Sequence, residues 1–446
     1  MTTRRNFIKK AGLGGVGLTV AGSAMNMSAQ SYRRIIGANE RLRVGIAGLG
    51  RRLGAYYDPI ARNESNVELA YLCDVMESQR IKALQNFKEV IDYTPKLEND
   101  IRKVIDNPDV DILINATPDH WHTPGSIMAI KAGKHVYVEK PSSHNMEENE
   151  MLVKAADKYK RVVQMGNQQR SSTHTIEIIN EIHNGIIGRP YKAVAFYTNS
   201  RGEVPVQQKA PVPAGLDWEL WQGPAPRREY TSETWDYNWH WYGWNYGTAE
   251  TGNNATHELD IARWALQVDF PNYARTEAAK RHFLEDGWEM YDTMEATFNF
   301  PEEKVIQWDG KSRNGYDTYG GGRGTIIYGS NGTVFIDREK YVLTDRSGNV
   351  VRERNSASNE AGTALGGGGD MSTTHMMNFF DAVRGKEKLN APIDDANVSM
   401  AMVHYANIAS RIGKGFEIDE NTGRMYNRDA MKFWGREYAN GWKPEV

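Results

Sequence analysis

Cysteine is nearly absent from the 446 residues: Cys73 is the only one, so no internal disulfide can brace the fold. There is no surplus charge of one sign. Lys and Arg number 54 against 57 Asp and Glu, a formal net charge of −3, which gives no basic field for nucleic acid. No internal repeat is visible, which argues against a solenoid or propeller. Apolar runs are short. The longest candidate, residues 11–24, is rich in glycine and falls below the ~20 residues that a membrane span needs. Arg4 and Arg5 precede it, with Phe7, Ile8 and Lys9 between, and small residues follow. That is the pattern of a cleavable twin-arginine export signal over residues 1–31, with cleavage near Ala29. A protein handed to the twin-arginine machinery is folded before export, which suits a chain without disulfides. The expected location is periplasmic or otherwise exported, and the mature protein is not expected to be a membrane protein.

What the chain does contain is a strand–helix alternation from Arg43 onward. Apolar strands are predicted at residues 43–47, 67–73, 111–116, 135–138 and 161–165. Between them lie the helix-like stretches IRKVID, SIMAIKAG (closing on Gly133) and the region 151–158. Such alternation predicts an α/β fold with a doubly wound parallel sheet over residues 40–165. Beyond Gly166 the strands become longer and amphipathic, at 191–197, 293–300, 305–308, 324–328 and 333–337. They predict a second α+β domain, 166–446, built on an open, mostly antiparallel sheet. An insertion dense in Trp, Tyr, Pro and Gly spans about 201–252, and residues 353–369 have the composition of a loop. Two helices close the chain, one after Asp370 and one from about Ala396.

The sequence VGIAGLGRRLG at residues 44–54 follows the first strand. In a dinucleotide-binding turn the first glycine permits the bend and the second lets the backbone approach the pyrophosphate. Gly48 and Gly50 fill these places. The third glycine position is Leu53, with Gly54 one residue late. Asp74, at the end of the next strand, stands where an acid binds the adenosine ribose and repels a 2′-phosphate. NAD is therefore favoured. Arg51 and Arg52 are placed to meet a phosphate, which keeps NADP open.

Two further motifs, ATPDHWH at residues 116–122 and Glu139-Lys140-Pro141 after the strand HVYV, resemble the Gfo/Idh/MocA family of glucose–fructose oxidoreductases and inositol dehydrogenases. The resemblance runs from the glycine turn to the last helices. It implies a Rossmann domain, an open-sheet domain and an active site in the cleft between them. It places Lys140 as the catalytic lysine, held by Glu139 and Pro141. Chemistry supports this independently, because a desolvated lysine beside a cationic nicotinamide has its pKa lowered toward neutrality and can take a hydroxyl proton. The family's Asp and His, four residues apart on one helix face, correspond to Asn253 and His257. Asparagine can hydrogen-bond a hydroxyl but cannot accept its proton, which shifts the acid–base work to Lys140 and His257. Asp260, one turn on, is expected to support His257 or contact substrate.

Thr117 of the ATPDHWH segment is expected at the cofactor, and His122, at a strand's carboxyl end, at the nicotinamide or the substrate. Asn167 and Arg170 of QMGNQQR are substrate candidates, as are His240 and Tyr246 in the aromatic run WDYNWHWYGWNY. Those rings suit either the C–H face of a sugar or the core of the insertion. His240, His257 and Asp260 lack the compact spacing of a zinc site, and no metal is expected. The leading expectation is an exported NAD(P)-dependent oxidoreductase that acts on a hydroxyl of a sugar or glycoside and keeps its cofactor tightly bound. An NAD-dependent glycoside hydrolase or lyase, working by transient oxidation and elimination, is the alternative. A non-catalytic sugar-binding relative is a third reading, opposed by the intact Lys140 and His257. The resemblance also implies a homo-oligomer.

Overall fold

The structure, a computed structural model, describes residues 40–356 and 370–446. The twin-arginine segment lies outside the described residues. A compact body runs from Leu42 to Val446. Its first sheet contains β1 (Leu42–Ala47), β2 (Val67–Cys73), β3 (Lys96–Glu98), β4 (Ile112–Asn115), β5 (His135–Val138) and β6 (Val163–Met165), in the order β3-β2-β1-β4-β5-β6. All pairs are parallel. A parallel sheet is covered on both faces, which is why β4 reads Ile-Leu-Ile and is buried along its whole length. The strand order reverses between β1 and β4, and that reversal opens a crevice at their carboxyl ends, where doubly wound folds bind ligands.

The second sheet holds β7 (Pro190–Thr198), β8 (Tyr273–Ala279), β9 (Thr293–Asn299), β10 (Val305–Lys311), β11 (Arg323–Gly329), β12 (Gly332–Ile336), β13 (Lys340–Asp345), β14 (Val350–Asn355) and β15 (Phe416–Glu417). Its order is β14-β13-β12-β11-β7-β10-β9-β8-β15. β7 and β10 are parallel neighbours and the other pairs are antiparallel. In β9, Met294, Ala296 and Phe298 are buried while Glu295 and Asn299 are exposed, the alternation of a sheet with one covered face. The helices Thr256–Leu266 and Ile393–Ile412 pack on it.

Three features depart from the expected outline. The loop foreseen from residue 353 begins as the end of β14, and residues 357–369 lie outside the described set. The helix foreseen at SIMAIKAG starts earlier, at Asp119 after Pro118, and ends at Lys131. The helix Asp370–Val383, grouped by sequence with the second domain, places Met376, Phe379 and Phe380 in one apolar core with Val44, Ile46, Ile112 and Ile114 of the first sheet.

Candidate active site

At the end of β1 the backbone turns on Gly48, with φ +88°; a Cβ there would lie 2.3 Å from the carbonyl oxygen of Ala116. Only glycine fits. At Gly50 a Cβ would meet nothing within 4 Å, so this backbone faces open space and a ligand can come close. Leu53 is buried and opens a short 3-10 turn to Tyr56 ahead of the helix Tyr57–Ala61, so the missing third glycine coincides with a delayed helix start. Asp74 accepts the Leu49 N–H at 2.8 Å and the Met76 N–H at 2.8 Å, one on each oxygen. It ties the turn to β2 while still lining the cavity. This cradle fits a dinucleotide. Neither arginine extends freely into it: Arg52 Nε donates to Glu139 at 2.9 Å, and Arg51 lies 3.9 Å over the Tyr237 ring.

The cradle opens into a cavity of about 950 Å³ that is also lined by Thr117, His122, Glu139, Lys140, His240, Asn253 and His257. The residues expected from sequence at the cofactor and those expected to be catalytic, Lys140, Asn253 and His257, thus share one space. The Lys140–Pro141 peptide is cis. Lys140 Nζ donates to the Asn253 backbone oxygen, and Asn253 Oδ1 lies 3.4 Å away. Burial pulls the Lys140 ammonium down to about 8, against the opposing charges of Asp119 and Glu139. Burial alone would raise Glu139, but Arg52 outweighs it and holds the carboxyl below its ordinary value; Tyr56 and Gln168 donate to the same carboxylate oxygen.

Asp119 was not singled out from the sequence, although it stands in the quoted ATPDHWH motif. It lines the cavity and accepts both the hydroxyl and the N–H of Thr248, at 2.6 and 3.1 Å. Burial pushes its carboxyl up to about 7. Two groups of opposite charge type, Lys140 and Asp119, therefore change protonation near neutrality in one site.

Asn253 sits in a π-turn, Thr251–Ala255, that feeds the helix Thr256–Leu266. Its amide donates to Glu250 at 3.0 Å. Glu250, also unforeseen, accepts Trp241 Nε1, Asn254 Nδ2 and Ser312 Oγ as well. Its signal was present: an acid three residues before Asn253 in a helical run shares its face. The His257 ring is held well below the usual imidazole range by burial and then by Arg338, Lys140 and Arg323, so it is neutral. His122 Nδ1 lies 2.6 Å from the Pro141 carbonyl oxygen. A carbonyl can only accept, so Nδ1 carries the hydrogen and Nε2 is left as an acceptor. Burial pulls this ring down to about 4.

Comparison with known proteins identifies this assembly. Residues 42–167 match the oxidoreductase family, NAD-binding Rossmann fold, and residues 173–342 match the C-terminal α/β domain of the same family. The chain belongs to the Gfo/Idh/MocA oxidoreductase family. NAD is thus the dinucleotide that the first domain is built for. The chain is 26% identical over 314 residues to glycosyl hydrolase family 109 protein 1 of Shewanella sp., covering 64% of this chain and 62% of that protein. It is 28% identical over 209 residues to alpha-N-acetylgalactosaminidase of Shewanella oneidensis, covering 44% and 45%. The chain therefore spans less than two thirds of the length of these relatives. Its fold superposes on the WlbA dehydrogenase of Bordetella pertussis, solved with NADH and UDP-GlcNAcA, with a TM-score of 0.61 at 18% identity, covering 85% of this chain and 99% of that one.

Within this family member, four sequence-predicted substrate residues are not at the cavity. Arg170 makes a two-pronged contact with Asp260 at 2.7 and 2.8 Å and a third with Asp395 at 2.8 Å. Ser399 also donates to Asp260 at 2.6 Å. Arg170 and Asp260 neutralise each other in the interior, and neither lines the cavity. Asn167 is buried with neither side-chain atom hydrogen-bonded, and its neighbour Gln168 faces the cavity instead. The Tyr246 hydroxyl donates to Gln222 at 3.3 Å, and the ring packs among Trp221, Trp239 and Tyr230 in the core of the insertion. His240 does line the cavity, stacked 3.6 Å from Trp239. The aromatic run divides accordingly: Trp235, Tyr237 and Trp239 border the cavity, whereas Trp241 stacks on Trp288.

The ATPDHWH segment is fixed from outside. Pro124 lies in the helix that this segment begins and offers no N–H to the carbonyl of His120, four residues back. Arg436 supplies the missing donor at 2.6 Å and also binds Glu148 at 2.8 Å. Trp121 Nε1 donates to the Trp221 carbonyl of the insertion at 3.0 Å.

Proposed function

We propose that this chain is an NAD-dependent oxidoreductase acting on a hydroxyl of a sugar or glycoside. The observation that carries this reading is the buried Lys140, pulled down to about 8, in the same cavity as the glycine cradle. Bound NAD supplies the hydride acceptor. Lys140 Nζ, in its neutral form, takes the proton of the hydroxyl whose carbon gives up the hydride, which leaves a carbonyl and an ammonium. The Asn253 amide holds that hydroxyl without competing for its proton. Neutral His257 offers a hydrogen bond to the same oxygen or its neighbour. The charge of Asp119 opposes that of the ammonium. Trp235, Tyr237 and Trp239 border the cavity and supply apolar ring surface for sugar C–H groups.

Export through the twin-arginine pathway to the periplasm, and a cofactor that stays bound, complete the proposal. Arg4 and Arg5 before the short apolar run support export, and a compartment without a dinucleotide pool favours a retained cofactor. The exposed Val350 and Val351 of β14 support a homo-oligomer. The test is mass spectrometry of protein released intact from its compartment, followed by a sugar panel read by nicotinamide reduction. No bound dinucleotide and no reduction with any sugar would defeat the reading.

The second reading is a glycosidase that oxidises a ring hydroxyl transiently, eliminates the aglycone and returns the hydride. The names of the sequence relatives favour it, as do two neutral imidazoles, His257 and His240, at the cavity. Release of aglycone from an aryl glycoside, with solvent deuterium entering the ring, would decide for it.

A further inference from the structure

Glu250 is buried and does not line the cavity; it lies one contact behind Asn253, which does. Its two oxygens are both engaged. Oε1 accepts Trp241 Nε1 at 2.9 Å and Asn253 Nδ2 at 3.0 Å. Oε2 accepts Asn254 Nδ2 at 2.8 Å and Ser312 Oγ at 2.7 Å, and Arg201 Nε lies 3.6 Å from it. Burial alone would raise this carboxyl, but Arg201 and the donors outweigh it and hold the group below its ordinary value. The chain just before Glu250 is fixed as well. Thr248 donates to Asp119, and the buried Ala249 is held at φ +59°. Such strain persists only where the surroundings over-determine the backbone.

A carboxylate can only accept a hydrogen bond. The Asn253 amide therefore turns its NH2 to Glu250, and its Oδ1 is left facing Lys140, 3.4 Å from Nζ. The Asn253 backbone oxygen accepts from the same Nζ. A neutral lysine amine has two N–H bonds and one lone pair. With both Asn253 oxygens as acceptors, the two N–H bonds have partners and the lone pair is left for a substrate hydroxyl. A reversed amide would offer its own N–H to Nζ and draw the lone pair toward the protein. The indole N–H of Trp241 can only donate, so the Glu250 oxygen that it meets, the one that also holds Asn253, has to remain an acceptor.

We propose that Glu250 is a positioning residue for the base: by fixing the Asn253 amide it aims the Lys140 lone pair into the cavity. This rests on the reading of Lys140 as the proton acceptor in sugar oxidation, and it adds the group that orients it. It also accounts for asparagine at 253, because a carboxylate there would face that of Glu250, and two carboxylates sharing a site repel each other.

Steady-state kinetics of the NAD-loaded protein on a panel of neutral hexoses and their methyl glycosides tests it. Glu250→Met removes the acceptor and should lower kcat about tenfold or more, a part of the roughly 10²- to 10⁴-fold that a general base contributes, while the sugar KM stays within about twofold. Glu250→Gln keeps an oxygen opposite Trp241 and Asn253 and should restore most of that turnover. Asn253→Asp should lower kcat, and adding Glu250→Gln to it should recover part of the loss, because one of two facing carboxylates is gone; the two substitutions are then non-additive. Equal losses in Glu250→Met and Glu250→Gln, or a lowered thermal midpoint with kcat unchanged, would make Glu250 a brace of the insertion and overturn the inference. If Glu250→Met fails to fold, the Asn253→Asp pair decides: an Asn253→Asp protein as active as wild type, or losses that simply add, overturns it. Neutron diffraction of the wild-type protein reads the amide directly and separates this inference from the activity. Amide deuterons on Glu250 in a protein that oxidises no sugar uphold the positioning and defeat the activity reading. Deuterons directed at Lys140 overturn the inference even where a sugar is oxidised.

Discussion

At the scale of single residues, the proposed chemistry depends on Lys140 being able to lose its proton. Lys140→Met should lower turnover about 10²- to 10⁴-fold, the usual range for a general base, while NAD still copurifies. A group that works as a base must be neutral, so the wild-type rate should rise with pH and level off above about 8. The negative charge of Asp119 favours the ammonium form, so Asp119→Asn should move that limb to lower pH. A pH–rate profile of both proteins checks the sign. Asp260→Asn tests a different assignment. Breaking a buried ion pair costs about 3–5 kcal/mol, so denaturant unfolding should register a large loss while the folded protein keeps its sugar KM. Lys140, Glu139 and Asp74 were legible because strand-end motifs place them locally. Arg170 and Asp260 were misread because the sequence displays their polarity and hides their partners, which approach from separate helices.

At the scale of elements, the two glycines of the turn separate steric need from ligand access. Gly48→Ala would drive a Cβ into the Ala116 carbonyl and hold a non-glycine residue at positive φ, a strain of about 1–3 kcal/mol before the clash is counted. It should lower the thermal midpoint and lose NAD. Gly50→Ala has room for its methyl group and should keep the wild-type midpoint while weakening NAD, because the methyl occupies the space the pyrophosphate would approach. The central strands of both sheets were readable from their apolar runs and alternation. β3 was not, since Lys96 and Leu97 are exposed at a sheet edge and carry no periodic signal. The helix Asp370–Val383 was visible as a helix, but nothing local reveals that Phe379 covers the first sheet. Phe379→Ala, which removes a fully buried ring, should cost about 3–5 kcal/mol and reduce NAD retention with it.

At the scale of the whole molecule, the two sheets have separate tasks. The parallel sheet, through Gly48, Gly50 and Asp74, presents a dinucleotide cradle, and its β5 end carries Glu139 and Lys140. The second sheet and its helices bring Asn253 and His257 to the other side of the same cavity. The chain's own carboxyl-terminal segment, through Arg436, fixes the ATPDHWH turn. Oxidation of a sugar hydroxyl with proton transfer to Lys140 is the claim that joins these parts. The most direct measurement is absorbance of reduced nicotinamide in the NAD-loaded protein on addition of sugars and glycosides, run in parallel on wild type and Lys140→Met. The account predicts reduction in the wild type with at least one sugar and almost none in the variant. Equal reduction in both proteins, or none in the wild type with any compound, would contradict it.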